Sequence, residues 1–164
     1  TLTPHERKVI VTASAFHDLG KMGIDEKILN KSGQLTEEEY IVMKSHTLIG
    51  ASMLARLDHY RDEELARTAY QICRWHHERY DGGGYPDGLK GEEIPIAAQV
   101  VSIADAYDAL ISPRVYKEGF SHEQAMQMIR NGECGAFNPL LIECLEDSQS
   151  RIRYLASMTA ERFS

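Results

Sequence analysis

Between Asp81 and Pro95 the sequence holds five glycines and two prolines, and no regular helix accommodates that density of both residues. On either side of this stretch apolar residues recur at three- and four-residue intervals, the spacing of a helix face. Val9, Ile10, Ala13 and Phe16 form one such face. Tyr40, Met43, Ile49, Met53, Leu54 and Leu57 form a second. Leu65, Ala69, Ile72 and Trp75 form a third, ending in His76-His77-Glu78. Start signals agree: Thr3-Pro4 with Glu6, Thr36 with Glu39 and Ser121 with Gln124 read as helix caps, and Asn138-Pro139 opens the last helix. A fourth helix is expected from about Ile96 to Ile111, stopping before Pro113. No segment alternates apolar and polar residues long enough for a strand. The expectation is an all-α helical bundle, one domain over residues 1–164, with a long Gly/Pro-rich loop after the third helix.

Composition removes several classes of function. The net charge of −7 argues against a protein that coats a nucleic-acid polymer, which needs a basic surface. It leaves room for a small phosphate ligand, because metal ions and a few placed cations hold such a ligand inside an acidic protein. No apolar run approaches the roughly 18–20 residues that span a bilayer. The charged residues within 1–16 leave too short an apolar stretch for a signal peptide, so a cytoplasmic location is expected. Cys73, Cys134 and Cys144 share no paired spacing and read as free thiols.

The placement of the seven histidines narrows the chemistry. His17 is followed by Asp18 near the end of the first helix. His46 lies within the second, and His76-His77 close the third. Asp105 interrupts the apolar run Val100 to Tyr107, where an unpaired carboxylate is costly unless a metal or a proton neutralises it. Imidazole and carboxylate together suit divalent iron, manganese, nickel or zinc. Adjacent residues on a helix point about 100° apart, so each dipeptide is able to serve two neighbouring ions, as a binuclear hydrolase requires. His5, His59 and His122 fit no pattern and read as solvent-exposed.

Taken in order, these residues resemble a known family. His17-Asp18-Leu19-Gly20-Lys21 resembles the HD superfamily signature. His76 to Pro86 matches the HHExxDGxGYP pattern of its HD-GYP subgroup at all eight fixed positions, and Asp87 to Pro95 continue the likeness. Ile103 to Leu110, and then Arg114, Tyr116 and Lys117, resemble the blocks that follow. The resemblance implies metal ligation by His17, Asp18, His46, His76, His77 and Asp105, with Asp18 as the bridging carboxylate. It implies that Lys21 steadies developing charge and that Lys21, Arg114 and Lys117 grip substrate phosphate. Asp81 and Asp108 would support the ligands from behind.

The activity so implied is hydrolysis of cyclic di-GMP to linear pGpG, and onward to GMP, by hydroxide attack at two or three divalent ions. Iron or manganese is expected first, with nickel, zinc or magnesium as alternatives. Expected partners are the cyclic dinucleotide, a second copy of the chain in a homodimer, and an attached or separate sensor, receiver or GGDEF domain. Two rival readings are a silent regulatory module that binds a cyclic dinucleotide or a partner domain, and an HD phosphohydrolase for another nucleotide. Two departures from the family stand out. Phe137-Asn138-Pro139 replaces the usual Phe-Asp-Pro, and Asn caps a helix about as well as Asp. The family also carries a ligand histidine on a helix well upstream of the HD pair, a position that His5 is too near to fill. The domain is therefore expected to lack its most N-terminal helix.

Overall fold

The computed structural model describes residues 1–60, 62–112 and 119–162. Among the described residues every regular element is helical: α1 (Pro4–Ser14), a 3-10 turn (Leu19–Gly23), α2 (Glu26–Leu29), α3 (Glu37–Lys44), α4 (His46–Ala55), α5 (Glu64–Trp75), a 3-10 turn (Gly91–Glu93), α6 (Ile96–Ile111), α7 (His122–Arg130), α8 (Pro139–Asp147) and α9 (Gln149–Arg162). The all-α expectation holds, and the Gly/Pro-rich segment separates α5 from α6.

The chain divides into two compact units, residues 1–102 and 103–164. In the first, Ile10 and Ala13 of α1, Leu54 of α4, Ala69, Ile72 and Cys73 of α5, and Ala97 and Val101 of α6 form one buried cluster. In the second, Ile103 and Tyr107 pack with Ala125, Met126 and Ile129 of α7 and with Phe137.

The helix starts follow from the caps. Thr3, Thr36 and Ser121 each accept the N–H three residues on, and Glu6, Glu39 and Gln124 reach back to the cap N–H. Asn138 accepts the Leu140 N–H and opens α8. Three boundaries differ from the sequence expectation. The helix begun at Thr36 ends at Lys44, and α4 begins anew at His46. Between them the Ser45 N–H and hydroxyl both donate to the Val42 carbonyl, tightening the turn. The first helix stops at Ser14. Beyond it the bonds from Phe16 N–H to Ala13 O, His17 N–H to Ser14 O and Leu19 N–H to Phe16 O are all of the tighter three-residue kind. The last stretch is two helices, because a break at Ser148 separates α8 from α9.

Candidate metal centre

His17 and Asp18 stand in the tightened turns after α1 and not on the helix itself. Their separation in direction therefore comes from turn geometry. Asp18 caps the 3-10 turn that carries Lys21, and the Lys21 ammonium donates to Asp18 Oδ2 at 2.6 Å. This turn lies directly on α4. A Cβ placed on Gly20 would sit 1.8 Å from the His46 carbonyl oxygen, and one on Gly50 would sit 2.8 Å from the Gly20 nitrogen. Only glycine permits that approach, which brings the turn bearing Asp18 against the start of the helix bearing His46.

His76 is the C-terminal cap of α5, and His77 follows it. The chain then turns out through Glu78, a carboxylate only 3% exposed. Its Oε1 accepts the N–H groups of Asp87 and Gly88 at 2.7 and 3.1 Å, and its Oε2 accepts that of Leu89 at 3.1 Å. Three main-chain donors offset the burial of this charge and tie the far side of the loop to the histidine doublet. A second tie runs from α5: the Arg74 guanidinium forks onto Asp87, and Trp75 Nε1 donates to the same carboxylate at 2.7 Å.

These elements bring four imidazoles and one carboxylate to a single place. Donor atoms of His46, His76 and His77 lie within 4.8 Å of one another. The His17 ring stands 5.2 Å from that of His76. Asp18 reaches both sides, with Oδ2 at 3.2 Å from His17 Nε2 and Oδ1 at 3.5 Å from His46 Nε2. His17, His46 and His76 each place Nδ1 2.7–2.9 Å from a main-chain carbonyl, of Ser14, Met43 and Ile72 respectively. A carbonyl only accepts, so Nδ1 carries the proton in all three, and in His46 and His76, which burial keeps neutral, Nε2 keeps its lone pair.

Those lone pairs test whether a cation fits. His46 and His76 are 1% and 0% exposed, and the Nε2 atom of each is buried with no hydrogen-bond partner. His17 Nε2 and Asp18 Oδ2 meet at the same place, 3.2 Å apart. Buried acceptors aimed at a shared point, together with a carboxylate, make a donor set for borderline divalent ions. The protonation states suit ligation as well. Burial, reinforced by the neighbouring imidazoles, lowers the pKa of His76 to about 3 and that of His77 to about 2. Burial also lowers His46. For Asp18 burial pushes the other way, but hydrogen bonds from His17 and Lys21 prevail and hold the carboxyl below its ordinary range.

Asp105 and Asp108 lie on α6 in the second unit, Asp105 half-buried and Asp108 exposed. Asp81 is exposed and accepts the Gly83 N–H at 2.8 Å, while main-chain carbonyls support His17, His46 and His76. Arg114 and Lys117 lie outside the described residues. His122 is half-buried, not exposed, and its Nδ1 meets the Tyr107 hydroxyl at 2.8 Å. The three cysteines are free, and burial pushes the Cys73 thiol up to about 11. Sequence reasoning missed the holding roles of Glu78, Asp87 and Gly50, since no local spacing marks a carboxylate that binds main chain nine residues away.

Comparison with known proteins agrees with this geometry. Residues 1–138 match the HD domain family. A cyclic di-GMP phosphodiesterase of Vibrio cholerae is 43% identical over 143 residues, covering 87% of this chain and 29% of that protein. A cyclic di-GMP phosphodiesterase response regulator of Xanthomonas campestris is 37% identical over 154 residues, covering 94% of this chain and 40% of the other. A 3'3'-cGAMP-specific phosphodiesterase of Vibrio cholerae is 37% identical over 144 residues, covering 88% and 27%. The chain thus spans well under half the length of these relatives. With the HD pair, the HHExxDGxGYP run and a family match covering most of its length, the chain belongs to the HD domain family and carries the HD-GYP signature.

Proposed function

We propose that the chain is the hydrolytic domain of a metal-dependent phosphodiesterase that opens cyclic di-GMP to linear pGpG and onward to GMP. The observation that carries this reading is the convergence of His17, Asp18, His46, His76 and His77, with two buried Nε2 atoms that have no hydrogen-bond partner. These residues would hold divalent ions, iron or manganese first, which supply Lewis acidity and an activated water when bound. Asp105 is assigned to the same ligand set by its place in the motif. Lys21 sits beside Asp18 with its ammonium at the rim, where it balances negative charge that grows on phosphate oxygens. Arg114 and Lys117 would bind the substrate phosphates.

The relatives support the substrate class, since two carry names for cyclic di-GMP and one for 3'3'-cGAMP. That last name favours one second reading, a preference for the mixed cyclic dinucleotide. The length of the relatives supports a further assignment, that the domain works within a longer regulator, with a sensor, receiver or GGDEF domain attached.

The test is turnover by protein loaded anaerobically with iron or manganese, offered cyclic di-GMP, 3'3'-cGAMP and a mononucleotide diester in parallel. Cyclic di-GMP should be opened fastest, and Asp18→Ala should lose both metal and activity. Lys21→Ala should lower kcat more than it raises KM. Binding of a cyclic dinucleotide without turnover by the loaded protein would support a silent module instead.

A further inference from the structure

His77 is held differently from its neighbours. His17, His46 and His76 are aimed by main-chain carbonyls, whereas among the described residues His77 forms no such bond. Its ring is stacked on that of Tyr85, with centroids 4.9 Å apart and planes inclined by 28°. The Tyr85 N–H donates to the His77 carbonyl at 3.2 Å, so the loop meets His77 through both main chain and ring. Lys44, the last residue of α3, places its ammonium 5.7 Å from the Tyr85 centroid and 5.2 Å from that of Tyr40. Both distances lie within the roughly 6 Å over which a ring face attracts a cation. Lys44 is half-buried, as is Tyr85. Ring stacking leaves an imidazole free to slide or tilt in a way that a directed hydrogen bond does not, so the orientation of His77 depends on what fixes Tyr85.

We propose that Lys44 is a positioning residue of this centre: its ammonium, lodged between the rings of Tyr40 and Tyr85, fixes Tyr85 and through it the plane of the His77 imidazole. The inference rests on reading the cluster as a metal centre. It assigns the lysine to ligand orientation and not to substrate binding, so its effect is read without substrate.

The experiment is a titration of the metal-free protein with cobalt(II), followed by visible absorption and calorimetry. It compares Lys44→Met, Lys44→Arg, Tyr85→Phe, Tyr85→Leu and the Lys44→Met/Tyr85→Leu pair. Lys44→Met should weaken cobalt affinity about tenfold, the lower range for losing a residue that orients a ligand, and should alter the visible band. Lys44→Arg should restore both, because a guanidinium also stacks on aromatic faces. Tyr85→Phe keeps the ring and should retain most of the affinity that Tyr85→Leu loses. Once Tyr85→Leu has removed the ring, Lys44→Met should add nothing further. Thermal unfolding of the metal-free variants separates loss of fold from loss of orientation. If Lys44→Met does not fold, the contrast between Tyr85→Phe and Tyr85→Leu decides whether the ring matters, and its absence overturns the proposal. Unchanged affinity in Lys44→Met, failure of Lys44→Arg to restore it, or a full Lys44→Met effect without the Tyr85 ring overturns it too. A wild-type protein that takes up no cobalt overturns this inference and the metal reading together. One that binds cobalt and hydrolyses no cyclic dinucleotide overturns only the proposed activity.

Discussion

Gly20 and Gly50 touch main chain to main chain, a Cβ on Gly50 coming within 2.8 Å of the Gly20 nitrogen. Through that contact two distant pieces of sequence, the turn after α1 and the start of α4, deliver Asp18 and His46 to one centre. Gly20→Ala should therefore do more than destabilise the fold. Its methyl meets the His46 carbonyl at 1.8 Å, and relief requires the turn to retreat from α4. We expect a loss of about 1–3 kcal/mol, the usual range for overpacking, and a parallel loss of metal affinity. Denaturant unfolding and manganese titration of the same variant check both. A destabilised variant with wild-type metal affinity would show that the close approach serves packing alone.

Metal binding should stabilise the chain by mass action. At a manganese concentration a hundred times the dissociation constant the gain is about 2.7 kcal/mol, or roughly 5–10 °C in unfolding temperature for a chain of this size. His46→Ala and His76→Ala each remove a buried Nε2 that has no hydrogen-bond partner, so the shift should vanish in both. Differential scanning fluorimetry with and without manganese measures it. A wild-type shift surviving in either variant would mean that the ion sits elsewhere.

Glu78→Gln is expected to loosen the loop. The amide keeps one acceptor oxygen, but its NH2 group must face a main-chain N–H that the carboxylate now satisfies. Leaving such a buried group unpaired costs about 1–3 kcal/mol. Hydrogen exchange at the amides of Asp87, Gly88 and Leu89 should accelerate. Unchanged protection there would mean that the loop is held by other contacts.

Asp87 gives the loop a pH dependence. The hydrogen bond from Arg74, with help from Trp75, holds its carboxyl below the usual value despite some burial. A carboxyl depressed in the folded state contributes stability that is complete above its unfolded pKa and fades as the pH falls through the folded one. The difference in stability between wild type and Asp87→Asn should accordingly be largest near neutral pH and shrink below about pH 4. Trp75 is the one tryptophan of the chain and bonds this carboxylate directly, so its fluorescence follows the loop during the titration. A difference independent of pH would exclude the charge as its source.

The helices and their caps were legible because they are local: Thr3 with Glu6, Thr36 with Glu39 and Ser121 with Gln124 carry their geometry within four residues. The clustering of His17, Asp18, His46, His76 and His77 was legible only as an ordered set, since no single histidine announces a ligand. What escaped the sequence is non-local or depends on a single turn. Ser45 splits one apolar periodicity into two helices without interrupting it. The partners of Glu78 are amides, which no residue letter reveals. The stack of Lys44, Tyr85 and His77 joins α3 to a loop some 40 residues on.

The carbonyls that aim His17, His46 and His76 belong to Ser14, Met43 and Ile72, and the atoms that do the aiming are present in every amino acid. Replacing the side chain at any of these three positions leaves the acceptor in place. Mutational drift beside the centre is thus largely silent so long as the helix ends keep their course, and only a change that bends the main chain is heard at the ligands. By contrast, the His77 ring stacks on a replaceable side chain, so a point mutation at Tyr85 reaches the hold on that imidazole directly.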